Sequence, residues 1–530
     1  MRRLVTGRQM KEIDGYAIGT VGIPSLVLME RAALAAADRL SARFQPESGT
    51  RVLIFCGTGN NGADGAALAR ILFLRGFDVT VLTVGDRERW TEEMVRQTAI
   101  DGRLGILVES FGAFLPGRFD VAVDALFGVG LSRDVEGVFA QAIHFMEEQR
   151  PAFTLALDIP SGVSAETGEI LGTAVRADET VTFGCEKLGM LFYPGRELCG
   201  RVTVADIGFP PPESISGPRY FAGEAADLER IPPRRPEANK GTYGKVLIAA
   251  GSPGMCGAAY LSALAAYRTG AGLVRILTAP ENVPVLQARL PEAIITPCPA
   301  DPETADPEAL EQLVERACAW ASVIVLGPGL GRDDWAERLV RQVLLSAYVP
   351  IIVDADGLNA VAACPQLAGY FTENVIVTPH LGEMARLTGR EIADLKRSLP
   401  QAAMQYAEEK GVICVLKDAV SVVARRDGSV FVGDSGCPAM AKGGSGDVLT
   451  GILAGLIALG IPEEDAACLG VYLHGLAGTA AAAGRGEHSI LAGEIADCIS
   501  AVMQRNKPAA GGRDQDKETA GGKGTHVGTV

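Results

Sequence analysis

Three short stretches in the first half of the chain put oxygen-bearing side chains where chemistry can be done. Asn60, Asn61 and Asp64 fall inside the glycine-rich run GTGNNGADG, Asp124 falls near the end of the apolar run VAVDA, and Asp158 and Ser161 follow TLAL in DIPSG. Gly57, Gly59 and Gly62 satisfy GxGxxG, a spacing that aims backbone N–H groups and a helix N-terminus at a pyrophosphate. Taken alone, that spacing fits an NAD-dependent dehydrogenase or a tightly packed turn. Amide, carboxylate and hydroxyl oxygens gathered at strand ends can hold a hard cation, and a carboxylate there can move a proton. Each Asp taken singly could as well cap a turn; the joint pattern is harder to dismiss.

In the second half, GGSGD (443–447) precedes a long apolar helix. Its glycines, Gly443, Gly444 and Gly446, let consecutive N–H groups around Ser445 face a phosphoryl group, and the helix dipole adds to that field. Asp447 stands where it can take a proton from an attacking hydroxyl. An Asp at a helix start is also an ordinary N-cap. His380, in TPHLGE, is one of five histidines, and its place at a strand end favours ligand contact over a purely structural role.

Parallel sheets must position these groups. RVLIFC (51–56), DVTVLTV (78–84), FDVAVDALFG (119–128), TLALDIP (154–160) and ETVTFG (179–184) read as buried strands, alternating with helices such as 65–76 and 136–149. A second series begins at KVLIAAG (245–251) and runs through 273–279, 322–329, 350–357, 374–379 and 412–418. Pro-rich segments at 209–218 and 231–244 mark a linker. The fold class expected is α/β: two three-layer α/β/α domains with mostly parallel sheets. The expected divisions are 1–215, a linker at 216–238, 239–505 and a disordered tail at 506–530.

Composition narrows the setting. The 530 residues carry a net charge of −15, with 48% hydrophobic and 21% charged side chains, which suits a globular protein and disfavours nucleic acid or an anionic membrane as partner. The longest apolar stretch, 448–462, is shorter than the roughly 18 residues of a spanning helix. The start has no apolar signal core, and the eleven cysteines never form CxxC, so a reducing, cytoplasmic setting without a structural zinc is expected.

TGRQMKEIDGYAI, NNGADG, DALFGVGLSR and DIPSG together resemble the YjeF N-terminal domain, the NAD(P)H-hydrate epimerase, over about residues 1–215. The resemblance implies a Rossmann-like fold and interconversion of the R and S forms of a hydrated nicotinamide nucleotide at its hydroxylated carbon. It implies Asn61, Asp124 and Ser161 as ligands of a potassium ion. Asn60, Asn61, Gly62, Ala63 and Asp64, with Gly128, Val129, Gly130, Leu131, Ser132, Arg133 and Asp134, would surround the nucleotide, and Asp158 would be the acid/base. Ala63 replaces the usual second glycine and would be costly if the backbone there needs positive φ. Val129 stands where a small polar residue is common. Asp134 stands where proline is common and is expected to weaken affinity for NADPHX, the more charged substrate.

NKGTYGKVLIAAGSPGMCGAAYLSALAAYRTGAGLV (239–274), GPGLG (327–331), DADGLN (354–359), TPHLGE (378–383) and AMAKGGSGDVLTG resemble the YjeF C-terminal domain, a ribokinase-like ADP- or ATP-dependent NAD(P)H-hydrate dehydratase. That resemblance implies that Ala259, Gly329, His380 and Asp447 meet the hydrated nucleotide. Lys417, Asp418, Ala419, Val420, Ser421 and Gly446 would meet the adenine nucleotide, with magnesium as the expected cation. A two-domain fusion implies ADP, with ATP possible. Asp418 replaces a usual glycine and brings a carboxylate toward the phosphates, while Ser421 keeps the hydroxyl of a usual threonine. The substrates implied are NADHX and NADPHX, and a homo-oligomer is expected. Two other readings stay open at this stage: a small-molecule kinase fused to a Rossmann dehydrogenase, and a nucleotide sensor with one inactive site.

Overall fold

The apolar runs become parallel strands in the computed structural model, which describes residues 1–114, 117–211, 216–298 and 307–505. The expected tail at 506–530 lies outside these residues. In chain order the first half contributes β1 (Arg2–Val5), β2 (Arg51–Cys56), β3 (Asp78–Thr83), β4 (Leu107–Ser110), β5 (Val121–Ala125), β6 (Phe153–Leu157), β7 (Glu179–Phe183), β8 (Glu186–Lys187) and β9 (Arg201–Ala205). Seven of these form a parallel sheet in the order β4-β3-β2-β5-β6-β7-β9. Along β2, Val52, Ile54 and Cys56 join one apolar cluster, while Leu53 and Phe55 join another. Alternate side chains therefore bury on opposite faces, and helices cover both.

The order reverses between β2 and β5, so their C-terminal ends open a crevice. The turn after β2 admits no side chain at two glycines. A Cβ on Gly57 would lie 2.0 Å from the Leu126 carbonyl oxygen, and one on Gly62 would lie 2.0 Å from that of Gly57.

After β10 (Tyr220–Ala222), the second half contributes β11 (Lys245–Ala249), β12 (Leu273–Thr278), β13 (Ile294–Pro297), β14 (Val323–Leu326), β15 (Ile351–Val353), β16 (Val375–Val377), β17 (Ile413–Leu416), β18 (Ser421–Ala424) and β19 (Val430–Gly433). Its sheet runs β13-β12-β11-β14-β15-β16-β17-β18-β19-β10-β1-β8. The first seven are parallel and repeat the strand order of the other sheet; β18 is antiparallel to both its neighbours. Val246 and Ile248 face one core cluster and Leu247 and Ala249 the other, giving three layers again.

Three strands of this sheet come from outside 239–505. β10 pairs parallel with β19, β1 pairs antiparallel with β10, and β8 pairs parallel with β1. The segment between the two Pro-rich stretches is thus structured, with β10 followed by a short helix at Ala225–Arg230. Burial explains this: Leu4, Val5 and Ala222 are fully covered, and Tyr220 nearly so. β10 also occupies what would otherwise be an open edge beside β19.

The apolar stretch 448–462 divides between the helix Ser445–Ala458 and the turn before the helix Glu463–Arg485. The latter is long and apolar enough to cross a membrane, yet 67% of its apolar window is buried inside the protein. It packs on the helices Ser445–Ala458 and Ala492–Arg505.

Candidate functional site

In the first half the predicted residues gather at the β2/β5 crevice. Asp124, the penultimate residue of β5, is fully buried. Its Oδ2 accepts the Ser161 N–H at 2.7 Å; its Oδ1 accepts the Ser161 hydroxyl at 2.6 Å and the Leu126 N–H at 3.1 Å. Burial pushes its carboxyl up to about 6, against the pull of those hydrogen bonds. Ser161 Oγ also accepts the Phe127 N–H at 2.9 Å. Asn61 is the second residue of the helix Asn60–Leu74, and its Nδ2 is buried without a hydrogen-bond partner.

Asp158 follows β6 with a φ of 68°, a left-handed conformation rare for a residue with a Cβ. Its Oδ2 accepts the Val129 N–H at 3.2 Å, and its Oδ1 is ion-paired with the Lys187 ammonium. Lys187 is fully buried and also donates to Thr182 Oγ1 at 2.7 Å and the Phe183 carbonyl at 3.2 Å, so each of its N–H groups has an acceptor. A Cβ on Gly128 would lie 3.0 Å from Asp158 Oδ2 and 3.6 Å from Asn61 Oδ1, so these two groups converge on the Gly128 backbone. Asp64 is pushed well above the usual carboxylate range by burial, then by Asp158 and Asp14.

The loop after Gly128 is open: Ser132, Arg133 and Asp134 are exposed, and Leu131 is half-buried. Lys11 reaches it, with Nζ 4.0 Å from where a Gly130 Cβ would stand. Val129 packs its side chain on Val5, Met10 and Ile13. Ala63 raises no conformational difficulty: it is a fully buried helical residue without positive φ.

Sequence reasoning missed Lys187, Lys11 and Asp14. A signal for the lysines existed. Residues 1–215 contain two lysines, Lys11 and Lys187, among many arginines, and both stand at this crevice.

In the second half, Asp354 follows β15 and is buried; its Oδ1 accepts Lys417 Nζ at 2.6 Å and Thr378 Oγ1 at 2.7 Å. Burial works against the charge on Lys417, but Asp354 and then Glu383 outweigh it and raise its pKa. A Cβ on Gly446 would stand 3.4 Å from Lys417 Nζ and 3.9 Å from Asp354 Oδ2. Asp447 is not the helix cap. Gly444, at φ 93°, holds that position, and a Cβ there would come within 2.6 Å of Leu261. Asp447 lies in the first turn, its carbonyl accepting the Ser262 hydroxyl at 3.0 Å and the Thr450 hydroxyl at 2.8 Å. Burial and then Asp354 push its carboxyl up to about 7, opposed by Lys417.

His380 does cap its helix. Nδ1 accepts the Gly382 N–H at 3.0 Å and the Glu383 N–H at 3.3 Å, and Glu383 returns a bond to the His380 N–H at 2.9 Å. The ring pKa is lowered, chiefly by burial and then by Lys417, which agrees with an accepting Nδ1. The ring still borders the main cavity, so capping and ligand contact are compatible.

That cavity, of about 1100 Å³, is lined by Lys417, Asp418, Ala419, Val420, Ser421, Ser445 and Gly446 among the expected nucleotide contacts. Lys396, Arg397 and Lys442 add to Lys417 against Glu169, Glu197 and Asp418, an excess of positive charge suited to an anion. Gly443, Gly444, Ala259, Gly329 and Asp447 are not part of its lining. Ala259 and Gly329 flank the β11/β14 crevice instead. Ala259 is fully buried beside Gly251, and Gly329, at φ 62°, accepts the Ser252 N–H at 2.6 Å. Among the described residues, no group of three or more His, Cys, Asp or Glu side chains is arranged to cage a metal.

Comparison with known proteins covers both halves. The family described as NAD(P)H-hydrate dehydratase matches residues 246–501, and the YjeF-related protein N-terminus matches 25–189. The bifunctional NAD(P)H-hydrate repair enzyme Nnr of Moorella thermoacetica is 38% identical over 94% of this chain and 96% of its own length. The Nnr enzyme of Escherichia coli strain K12 is 34% identical over 85% of this chain and 84% of its own. Among solved structures, the ADP/ATP-dependent NAD(P)H-hydrate dehydratase of Bacillus subtilis, co-crystallised with ATP and Mg2+, aligns with a TM-score of 0.46 at 30% identity. It covers 54% of this chain and 98% of that one.

Proposed function

The chain belongs to the family of bifunctional NAD(P)H-hydrate repair enzymes, and from that membership we propose a division of labour between its two crevices. The first epimerises the R and S hydrates of NADH and NADPH; the second dehydrates the S form at the expense of ADP. The observation that carries this reading is the match of both halves to repair enzymes over nearly the full length, supported by the gathering of the first half's site residues at a sheet switch point.

In the first crevice the substrate's hydroxylated carbon is bonded to the ring nitrogen, so its hydroxyl can leave as the nitrogen lone pair forms a C=N bond. Return of water to the other face inverts the centre. Asp158 is the group that gives the departing hydroxyl its proton, so that it leaves as water, and takes a proton back from the water that returns; Lys187 and the Val129 N–H orient it. Asn60 to Asp64 and the 128–134 loop hold the nucleotide, and Lys11 gives the loop a cation for phosphate. Asn61, Asp124 and Ser161 fit a potassium ion: their side chains offer hard oxygens, and the Asp124 carboxyl is fully buried with no cationic side chain beside it among the described residues. Potassium would supply positive charge beside an anionic ligand.

In the second crevice Asp447 takes the proton of the substrate hydroxyl as its oxygen attacks the β-phosphorus of ADP and AMP leaves. The phosphorylated hydrate then loses phosphate together with a proton from the adjacent carbon, restoring the dihydronicotinamide ring. The net change is hydrate plus ADP to NAD(P)H, AMP and phosphate. Lys417 and the N–H groups at 444–446 meet the charge on the transferring phosphoryl. Magnesium would neutralise phosphate charge; it is commonly held by the phosphates, water and one or two carboxylates, so it needs no protein cage.

The test is a racemic hydrate mixed with purified protein, read by dihydronicotinamide absorbance. Complete consumption with ADP, faster than spontaneous epimerisation allows, is the expected result. No recovery with either ADP or ATP would overturn the dehydratase assignment; recovery of the S half alone would overturn the epimerase assignment.

A further inference from the structure

The cavity that holds Lys417 and Gly446 is not built by the second half alone. Thr167, Glu169, Phe192, Tyr193, Pro194 and Glu197, all from the first half, complete its lining. This wall is tied in place. The Arg196 guanidinium donates to the Asp434 carbonyl at 2.7 Å, beside Ser435 and Gly436 of the lining, and Arg397 meets Glu169 at 3.8 Å. Phe192 and Tyr193 are the Phe, Tyr or Trp residues that line the cavity; Phe192 is buried, whereas Tyr193 is 39% exposed. Arg196 stands 5.8 Å from the Tyr193 ring centroid.

We infer that the first half is part of the dehydratase's nucleotide site, with Tyr193 stacking on the adenine of the co-substrate whose phosphates lie at Lys417, Ser445 and Gly446. The inference rests on the dehydratase reading above. An aromatic face open to a cavity with a cationic end is a natural platform for a purine base. The first half then has two duties: its own crevice, and one wall of its neighbour's.

Two measurements on the full-length protein test this. Photolysis of 8-azido-ADP bound to the wild-type chain, followed by peptide mapping, is expected to label a peptide that includes Tyr193. Tyr193→Ala is expected to raise the KM for ADP about tenfold, in the range of a lost base–aromatic stack. The KM for the hydrate and the epimerisation rate should stay unchanged, and Tyr193→Phe should behave as wild type. Label confined to residues 239–505, or an unchanged KM for ADP in Tyr193→Ala, would overturn the inference. Either result leaves the dehydratase reading standing as long as wild type turns over with ADP. Labelling of the unaltered chain needs no variant to fold.

Discussion

The two crevices contain the same device turned opposite ways. Each sheet begins with seven strands in the same order, and the fifth strand of each series, β6 and β15, ends in an aspartate paired with a lysine: Asp158 with Lys187, Asp354 with Lys417. Each strand end also has a non-glycine residue at left-handed φ, Asp158 itself at 68° and Ala355 at 50°. In the first half the lysine side chain is 0% exposed and the carboxylate 12%; in the second the carboxylate is 2% exposed and the lysine 19%. One half therefore exposes the carboxylate of its pair and the other the ammonium, which under the proposed function serve as acid/base and as a cation for phosphate. On that proposal the second half, with its strand-end carboxylate sunk, needs another base, and Asp447 lies close enough to feel both Asp354 and Lys417. A shared scaffold does not fix a shared role; on the proposed function, which member of the pair is covered distinguishes the two crevices.

The sharpest way to break this comparison is Asp447→Asn. It should lower dehydration about 10³-fold while leaving epimerisation intact, the scale of a lost general base. In the wild type, dehydration should fall as pH drops through about 7, because Asp447 is protonated below that value. A dehydration rate flat from pH 6 to 8, with the chemical step limiting, would remove Asp447 from the role.

Next in size is Lys187→Met. It leaves Asp158 without its buried partner and should cost about 3 kcal/mol of stability, together with epimerisation. Denaturant unfolding and consumption of the R hydrate measure the two losses. Dehydration of the S hydrate should survive wherever the chain stays folded.

Asp101 separates the halves in a different way. It is fully buried in the first half without a hydrogen-bond partner, and burial pushes its carboxyl up to about 7. A folded-state pKa above the unfolded value favours the protonated fold, so the stabilisation is full below about 4 and is lost as pH rises through 7. Asp101→Asn should raise the Tm at pH 8 and have little benefit at pH 5.

The smallest effect is expected at Asp418. It lines the nucleotide cavity and has no ion-pair partner among the described residues. Asp418→Gly should lower the KM for ADP roughly threefold, the scale of one screened charge near a surface.

The long parallel strands were legible because each is a continuous apolar run; RVLIFC matches β2 residue for residue. Asp124, Asp158, Ser161 and Asp447 were legible because polar groups at strand and helix ends interrupt such runs. Less accessible was anything set by long-range pairing. β1, β8 and β10 have two to four residues each, too few for periodicity to speak, and their partners lie far away in the chain. Lys187 followed the same logic: a lysine beside a glutamate after a strand reads as surface until β1 and the carboxylate close over it. The cavity wall around Tyr193 depends on how the halves meet, which no local pattern encodes.

The interleaving of β1 and β10 bears on synthesis. Leu4 leaves the ribosome long before its partner Tyr220, and Tyr220 long before its own partner Val430. The outer rim of the second sheet cannot close until Val430 has been translated, so β1 and β10 wait for their place in that sheet. Cutting the gene at the natural-looking joint between the halves would leave the downstream product with a bare β-edge, open to adhesion between copies.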